Sequence, residues 1–192
     1  MDSYEENVFK ALYSRRSIRQ FEETRKVEKE KILKLLKAAM SAPSACNIQP
    51  WDFIVVDDAE LIGRIKETCG AYGDYNTPLM IVVCGNNSFI PWKDFGIVDC
   101  AAAMENIMIA APALGLGTVC VGSYNKDIVG QLLSIPENSE AVGLLYAGYP
   151  AEKKEPRTKY LEEAVHWNRF NAGQSGGPRP GNILEFGPEA SL

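Results

Sequence analysis

The chain has 192 residues, of which 46% are hydrophobic and 23% charged. This is the balance of one ordinary globular domain, or one domain plus an arm, and it excludes a disordered chain, a collagen-like repeat and a disulfide scaffold. The net charge of −5 disfavours nucleic-acid binding through a broad basic surface but leaves room for a local cationic pocket.

Residues 5–14 read as a short helix with Val8 and Leu12 on one face, followed by Arg15-Arg16-Ser17-Ile18-Arg19 as a loop or extended segment. Residues 28–42 are the clearest helix: Ile32, Leu35, Leu36, Ala39 and Met40 line one side, Lys31, Lys34 and Lys37 another, and Pro43 stops it. Residues 51–57 are β-branched and aromatic enough for a strand, and 59–69 suggest a helix ended by Gly70. The apolar run 78–84 predicts a strand buried on both faces. Asn, Gly, Pro and three aromatics (Phe89, Trp92, Phe95) make 85–96 a loop or lid.

Residues 98–114 form an apolar helix whose charges are Asp99 and Glu105. Apolar residues on all sides predict a central helix, with Pro112 distorting its last turn and Gly115 capping it. Strand 117–122, helix 126–134 and strand 142–147 follow. The uncharged stretch Asn106–Asn125 has membrane-span length, but Pro112, Gly115, Gly117 and Gly122 interrupt it. It reads as a buried helix and then a buried strand, with no membrane partner. Beyond Tyr149-Pro150 the composition turns polar, and from Gly173 Gly and Pro dominate. The organisation is thus a domain over 1–170 and a Gly/Pro-rich arm or tail over 171–192. Helices alternating with short apolar strands indicate one layer of sheet, α/β or α+β, covered by helices.

The five cysteines (46, 69, 84, 100 and 120) are odd in number and form no CxxC pair. They read as reduced thiols in a cytosolic protein, and the acidic N-terminus lacks the apolar stretch of a signal peptide. His166 is the one histidine, so zinc sites and a Cys–His nucleophile lack support.

Four segments can carry chemistry. Three guanidinium groups and a hydroxyl within Arg15–Arg19 can grip a phosphate, or simply form a solvated basic turn. In Ala-Pro-Ser-Ala-Cys-Asn-Ile-Gln-Pro-Trp, residues 42–51, two prolines restrict the backbone. There Ser44, Asn47 and Gln49 can donate and accept along a heteroaromatic edge, or shape a structural loop. The glycines of 113–124 follow a helix and open a strand, the reverse of a dinucleotide fingerprint, which excludes that reading. Val121-Gly122 can still present bare backbone to a ligand. Finally Gly148-Tyr149-Pro150 and Arg157-Thr158-Lys159 either complete a phosphate site or form a polar exit from the last strand.

Together, these four segments resemble the nitroreductase family of FMN-dependent oxidoreductases, in register over roughly residues 8–170. The resemblance implies an α+β fold with a central, mostly antiparallel sheet flanked by helices. It also implies an intertwined homodimer with FMN at the subunit interface. Arg15, Arg16 and Ser17 then contact the FMN phosphate and ribityl region, and Arg19 the pyrimidine side of the ring. Ser44, Ala45, Asn47 and Gln49 approach the flavin from the other subunit. Val121 and Gly122 present backbone near N5, and Arg157 and Lys159 return to the phosphate. Asn76 is the candidate for the family's Asn or Lys after the first long strand.

The expected activity passes electrons from NAD(P)H, through flavin N5, to a small flat acceptor such as a nitroaromatic or a quinone. The cycle is ping-pong and needs no side-chain nucleophile; Arg19 stabilises charge on the reduced ring. Phe89, Trp92 and Phe95 are pocket walls or core residues. The alternatives are a non-catalytic flavin binder or sensor, and a reductive dehalogenase on the same scaffold.

Overall fold

The computed structural model describes residues 3–86, 88, 93–155 and 165–171. The chain divides into two units, Met1–Lys154 and Glu155–Leu192.

In the first unit, helix α1 (Ser3–Ser14) buries none of its own residues. Helix α2 (Lys29–Met40) buries Leu35 and Ala39, the apolar stripe expected of it. Strand β1 (Trp51–Val56) leads to helix α3 (Ala59–Lys66), which Asp58 caps by accepting the N–H of Leu61 at 2.7 Å. Strand β2 (Leu79–Asn86) and helix α4 (Lys93–Ala113) follow, then β3 (Gly117–Val121), α5 (Lys126–Leu132) and β4 (Ser139–Gly148). Asn125 caps α5 through the N–H of Ile128, at 3.1 Å.

The four strands form one sheet in the order β1-β2-β4-β3, antiparallel at every pairing. β2 is buried along its length except at Asn86. Its alternation splits the core in two. Met80 and Val82 join Ile62, Ile65, Val129, Leu144 and Tyr146 on the face covered by α3 and α5. Ile81 and Val83 join Leu35, Ala39, Cys100, Ala103, Ile107 and Leu145 under α2 and α4. Helices on both faces explain a continuous apolar run in an antiparallel sheet, where one wet face is the commoner pattern.

β2 runs on to Asn86, whose N–H reaches the Pro50 carbonyl at 2.8 Å, and α4 already begins at Lys93. The loop expected over 85–96 is therefore shorter at both ends. Phe89 and Trp92 lie outside the described residues, and Phe95 stands on α4.

The stretch Phe95–Ala113 is long and apolar enough to cross a membrane by length and composition. Here it lies against the sheet, burying Cys100, Ala103, Ile107 and Ala111, while Ile97 and Val98 stay exposed at 49% and 61%. The expected central helix is thus covered on one side by its own chain.

The turn after α4 is a Schellman motif: the N–H of Leu116 reaches the Ala111 carbonyl at 2.9 Å, that of Gly115 reaches Pro112 at 3.0 Å, and Gly115 has φ 71°. A β-carbon here would strain that left-handed backbone, which accounts for the glycine without a nucleotide.

In the second unit the ring of His166 lies 4.3 Å from that of Phe170, and its Nδ1 accepts the N–H of Asn171 at 3.3 Å. Arg157, Lys159 and the tail after Asn171 lie outside the described residues.

Candidate functional site

The arginine segment is laid along β3. Ser17 bridges Thr118 in parallel, and the N–H of Ile18 donates to the Thr118 carbonyl at 2.9 Å. Ile18 packs over Gly117 so closely that a β-carbon there would lie 2.7–2.9 Å from three Ile18 side-chain carbons.

Further on, Asn76 grips the backbone of Phe21: its Oδ1 accepts the Phe21 N–H at 2.8 Å, and its Nδ2 donates to the Phe21 carbonyl at 3.0 Å. That amide also reaches Glu23 at 3.0 Å. Phe21 pairs with Pro150, Glu22 N–H reaches the Tyr149 carbonyl at 2.8 Å, and Ala151 N–H reaches the Gln20 carbonyl at 2.9 Å. Apolar anchors at Ile18 and Phe21 thus hold a backbone that displays the arginines.

Each guanidinium has a different setting. Arg15 Nε lies 3.5 Å from Glu105 Oε1 on α4. Arg16 donates through Nη1 to the Arg15 carbonyl, while its Nε is buried with no hydrogen-bond partner among the described residues. Arg19 donates to the Ser17 carbonyl at 3.4 Å and lies 5.6 Å from the centre of the Tyr75 ring. A buried cationic N–H without an acceptor is costly, and an anion would satisfy it.

Glu152 was not singled out by the sequence, although it stands two residues beyond the Gly-Tyr-Pro motif. Its Oε1 accepts the N–H of Arg19 at 2.5 Å and that of Gln20 at 3.2 Å, with Lys154 Nζ at 3.4 Å. Partial burial pushes this carboxyl up. The Arg19 N–H, the Lys154 charge and the Gln20 N–H together outweigh that and hold it below the usual carboxylate range.

The second element is the loop between Pro43 and Pro50. Ala45–Asn47 form a 3-10 turn. Cys46, Asn47 and Gln49 all have positive φ, at 52°, 56° and 53°, a costly conformation for residues with a β-carbon. The loop is tied by Ser44 Oγ, which accepts the Gln49 N–H at 2.9 Å, and by Gln49 Nε2, which donates to Asn47 Oδ1 at 3.0 Å. The buried carboxylate of Asp99 on α4 accepts the N–H of Ala45. Ser44 and Ala45 are half-buried; Asn47 and Gln49 are exposed. The available signal for Asp99 was its isolation as one of two charges in an apolar helix.

At the end of β3, Val121 is buried, and Gly122 is exposed with no atom within 4 Å of where its β-carbon would stand. That backbone is open to a flat ligand.

Among the described residues no hydrogen bond or ion pair joins the Arg15–Arg19 segment to the Ser44–Gln49 loop. Both are anchored on α4, through Glu105 and Asp99. At 3.6 residues per turn those two positions stand about 9 Å apart along the axis and about 120° apart around it. One copy of the chain therefore presents the two elements on different sides of the same helix. No cluster of metal-ligating side chains occurs among the described residues. Buried Cys84 and Cys100 have thiols pushed up to about 11 and about 12 by burial and then by the neighbouring Asp52 and Asp99 charges, so they remain protonated.

The model of the nitroreductase family matches residues 12–79 and 93–149. A protein of Archaeoglobus fulgidus, named as an NADH dehydrogenase/NAD(P)H nitroreductase, is 41% identical over 175 residues, 86% of this chain and 99% of the relative. The FMN reductase [NAD(P)H] of Bacillus subtilis is 29% identical over 180 residues, 83% of this chain and 72% of the relative. Among solved structures, the FMN-dependent nitroreductase of Clostridium difficile R20291 is 32% identical with a TM-score of 0.74, over 84% of this chain and 99% of that one.

Proposed function

On the premise that this chain belongs to the nitroreductase family, we propose that it is an FMN-dependent NAD(P)H oxidoreductase acting on a small flat acceptor such as a nitroaromatic or a quinone. The observation that carries this reading is the Nε of Arg16, buried and without a hydrogen-bond partner among the described residues, between Arg15 and Arg19 on a segment paired with β3. A phosphate supplies the acceptor that this nitrogen lacks, and the donor set of Arg15, Arg16 and Ser17 suits it. FMN, held there by Arg15, Arg16 and Ser17, would supply the redox chemistry between NAD(P)H and the acceptor.

The chain's own part is binding, orientation and charge. Arg19 is a preorganised cation for the pyrimidine edge of the flavin, stabilising negative charge there. The backbone at Val121-Gly122 is the platform for the ring. Ser44, Ala45, Asn47 and Gln49 contact the flavin of a second copy.

The working unit is a homodimer. Its support is the apolar surface that one chain leaves uncovered: Val8, Phe9, Leu12 and Tyr13 on α1, and Ile97 and Val98 on α4. The separation of the two site elements around α4 points the same way. The reduced cysteines suit a cytoplasmic protein.

The test is to titrate the purified protein with FMN, record its absorbance and sedimentation, and then reduce it anaerobically with NADH and with NADPH. A yellow dimer bleached by either nucleotide and reoxidised by a quinone is expected. A colourless monomer indifferent to FMN overturns the proposal. A yellow dimer that neither nucleotide reduces is a flavin binder without this activity.

A further inference from the structure

We propose that Glu152 is a positioning residue for FMN binding: its carboxylate oxygen fixes the bend of the backbone at Arg19-Gln20 and thereby aims the Arg19 guanidinium. This rests on reading Arg19 as a flavin contact.

In a regular extended segment successive N–H groups point to opposite sides, as successive side chains do. At Arg19 and Gln20 they do not: both N–H groups meet the single atom Glu152 Oε1, at 2.5 and 3.2 Å. Two consecutive donors converge on one acceptor where the chain turns, in the kind of backbone concavity that otherwise takes an anion. Here the anion is built in, from 133 residues away in sequence.

The neighbouring contacts restrict what else could set this bend. Before it, Ile18 is fixed to Thr118. After it, Phe21 is clamped by Asn76 and Pro150. Ala151 N–H holds the Gln20 carbonyl. Between these anchors the two N–H groups of Arg19 and Gln20 have Glu152 as their acceptor. The guanidinium leaves the chain at that point, with the Ser17 carbonyl and the Tyr75 ring as its neighbours. Lys154, on the same oxygen at 3.4 Å, offsets the carboxylate charge, so the acceptor position rather than net charge is what Glu152 contributes.

The experiment compares wild type, R19A, E152A, E152Q, E152D and the R19A/E152A double variant. FMN affinity is read by flavin fluorescence quenching on apo-protein, and the midpoint potential of the bound flavin by dye equilibration. E152A should raise the FMN Kd about tenfold, the scale of one lost hydrogen bond, and move the potential to more negative values, as R19A does. E152Q keeps the acceptor oxygen and should stay within about twofold of wild type. E152D keeps the charge but withdraws the oxygen by about one C–C bond, 1.5 Å, and should resemble E152A; it carries the test if E152A does not fold. The double variant should add nothing to R19A.

Wild-type affinity and potential in E152A or E152D, beside a weakened R19A, overturn this inference and leave Arg19 in the site. E152Q as weak as E152A also overturns it, since charge would then be the contribution. An R19A variant that binds FMN normally removes Arg19 from the site and this inference with it.

Discussion

Asp99 receives the backbone N–H of Ala45 on both of its carboxylate oxygens, each at 3.1 Å. The carboxylate is buried on α4, and the residue it holds opens a loop with three positive φ values. Asp99→Ala leaves that loop without its main tether to the helix. A hydrogen bond to a charged group is worth about 2 kcal/mol, which lowers the melting temperature of a chain of this size by about 4–8 °C. FMN affinity should fall in the same variant. A lowered melting temperature with unchanged FMN binding would separate the loop from the flavin.

Gly117 and Gly122 bracket β3 and should behave oppositely. In Gly117→Ala the new methyl meets the branched carbons of Ile18 at 2.7–2.9 Å, atoms too close to the backbone to rotate away. The expected cost is about 1–3 kcal/mol in urea unfolding, with the arginine segment pushed off the strand. Gly122→Ala meets no atom of the chain within 4 Å, so stability should change by less than about 0.5 kcal/mol. FMN binding should nonetheless weaken, because the methyl enters the space assigned to the ring. Full FMN affinity in Gly122→Ala would place the flavin elsewhere.

Arg16→Met should leave the apo-protein as stable as wild type or more stable, because it removes a buried N–H that has no acceptor among the described residues. The same change should raise the FMN Kd by at least about tenfold. Paired apo-protein melts and flavin titrations read the two effects separately. Loss of apo stability with unchanged flavin binding would make Arg16 structural.

Acid should loosen the arginine segment through Glu152. Its folded carboxyl titrates below the ordinary range because the Arg19 N–H, Lys154 and the Gln20 N–H overcome its partial burial. A group depressed in the folded state adds stability that is present above its unfolded value. That stability is lost as pH falls through the folded value. Stability should therefore hold from neutrality to about pH 5 and decline below about pH 4.5. Melts from pH 7 to pH 3 should show a shallower acid limb in Glu152→Gln. Superimposable acid limbs would remove Glu152 as their source.

What could be read from the residues depended on how local the cause was. The stripe of Leu35 and Ala39, the caps at Asp58 and Asn125, the stop at Pro43 and the reversed order of helix and glycine at Gly115 are settled within one or two turns of chain. Each was legible in advance or follows from neighbours in sequence. The expected end of β2 was off because Asn86 is held by Pro50 on the neighbouring strand, a contact with no local signature. The apolar surround of α4 was legible, but which side its own chain covers was not. Val98 falls in the stretch expected to be a central helix and lies open in the structure.

The sequence by itself determined a single sheet covered by helices and the family resemblance that implied the α+β class, because periodicity, turn chemistry and short motifs are written in neighbouring positions. The tertiary structure alone decided that Glu152 accepts the N–H of Arg19, that Asn76 holds Phe21 and that Asp99 holds Ala45. Those three contacts join residues 133, 55 and 54 positions apart, and hydrogen bonding at such separations is fixed by how helices and sheet stack.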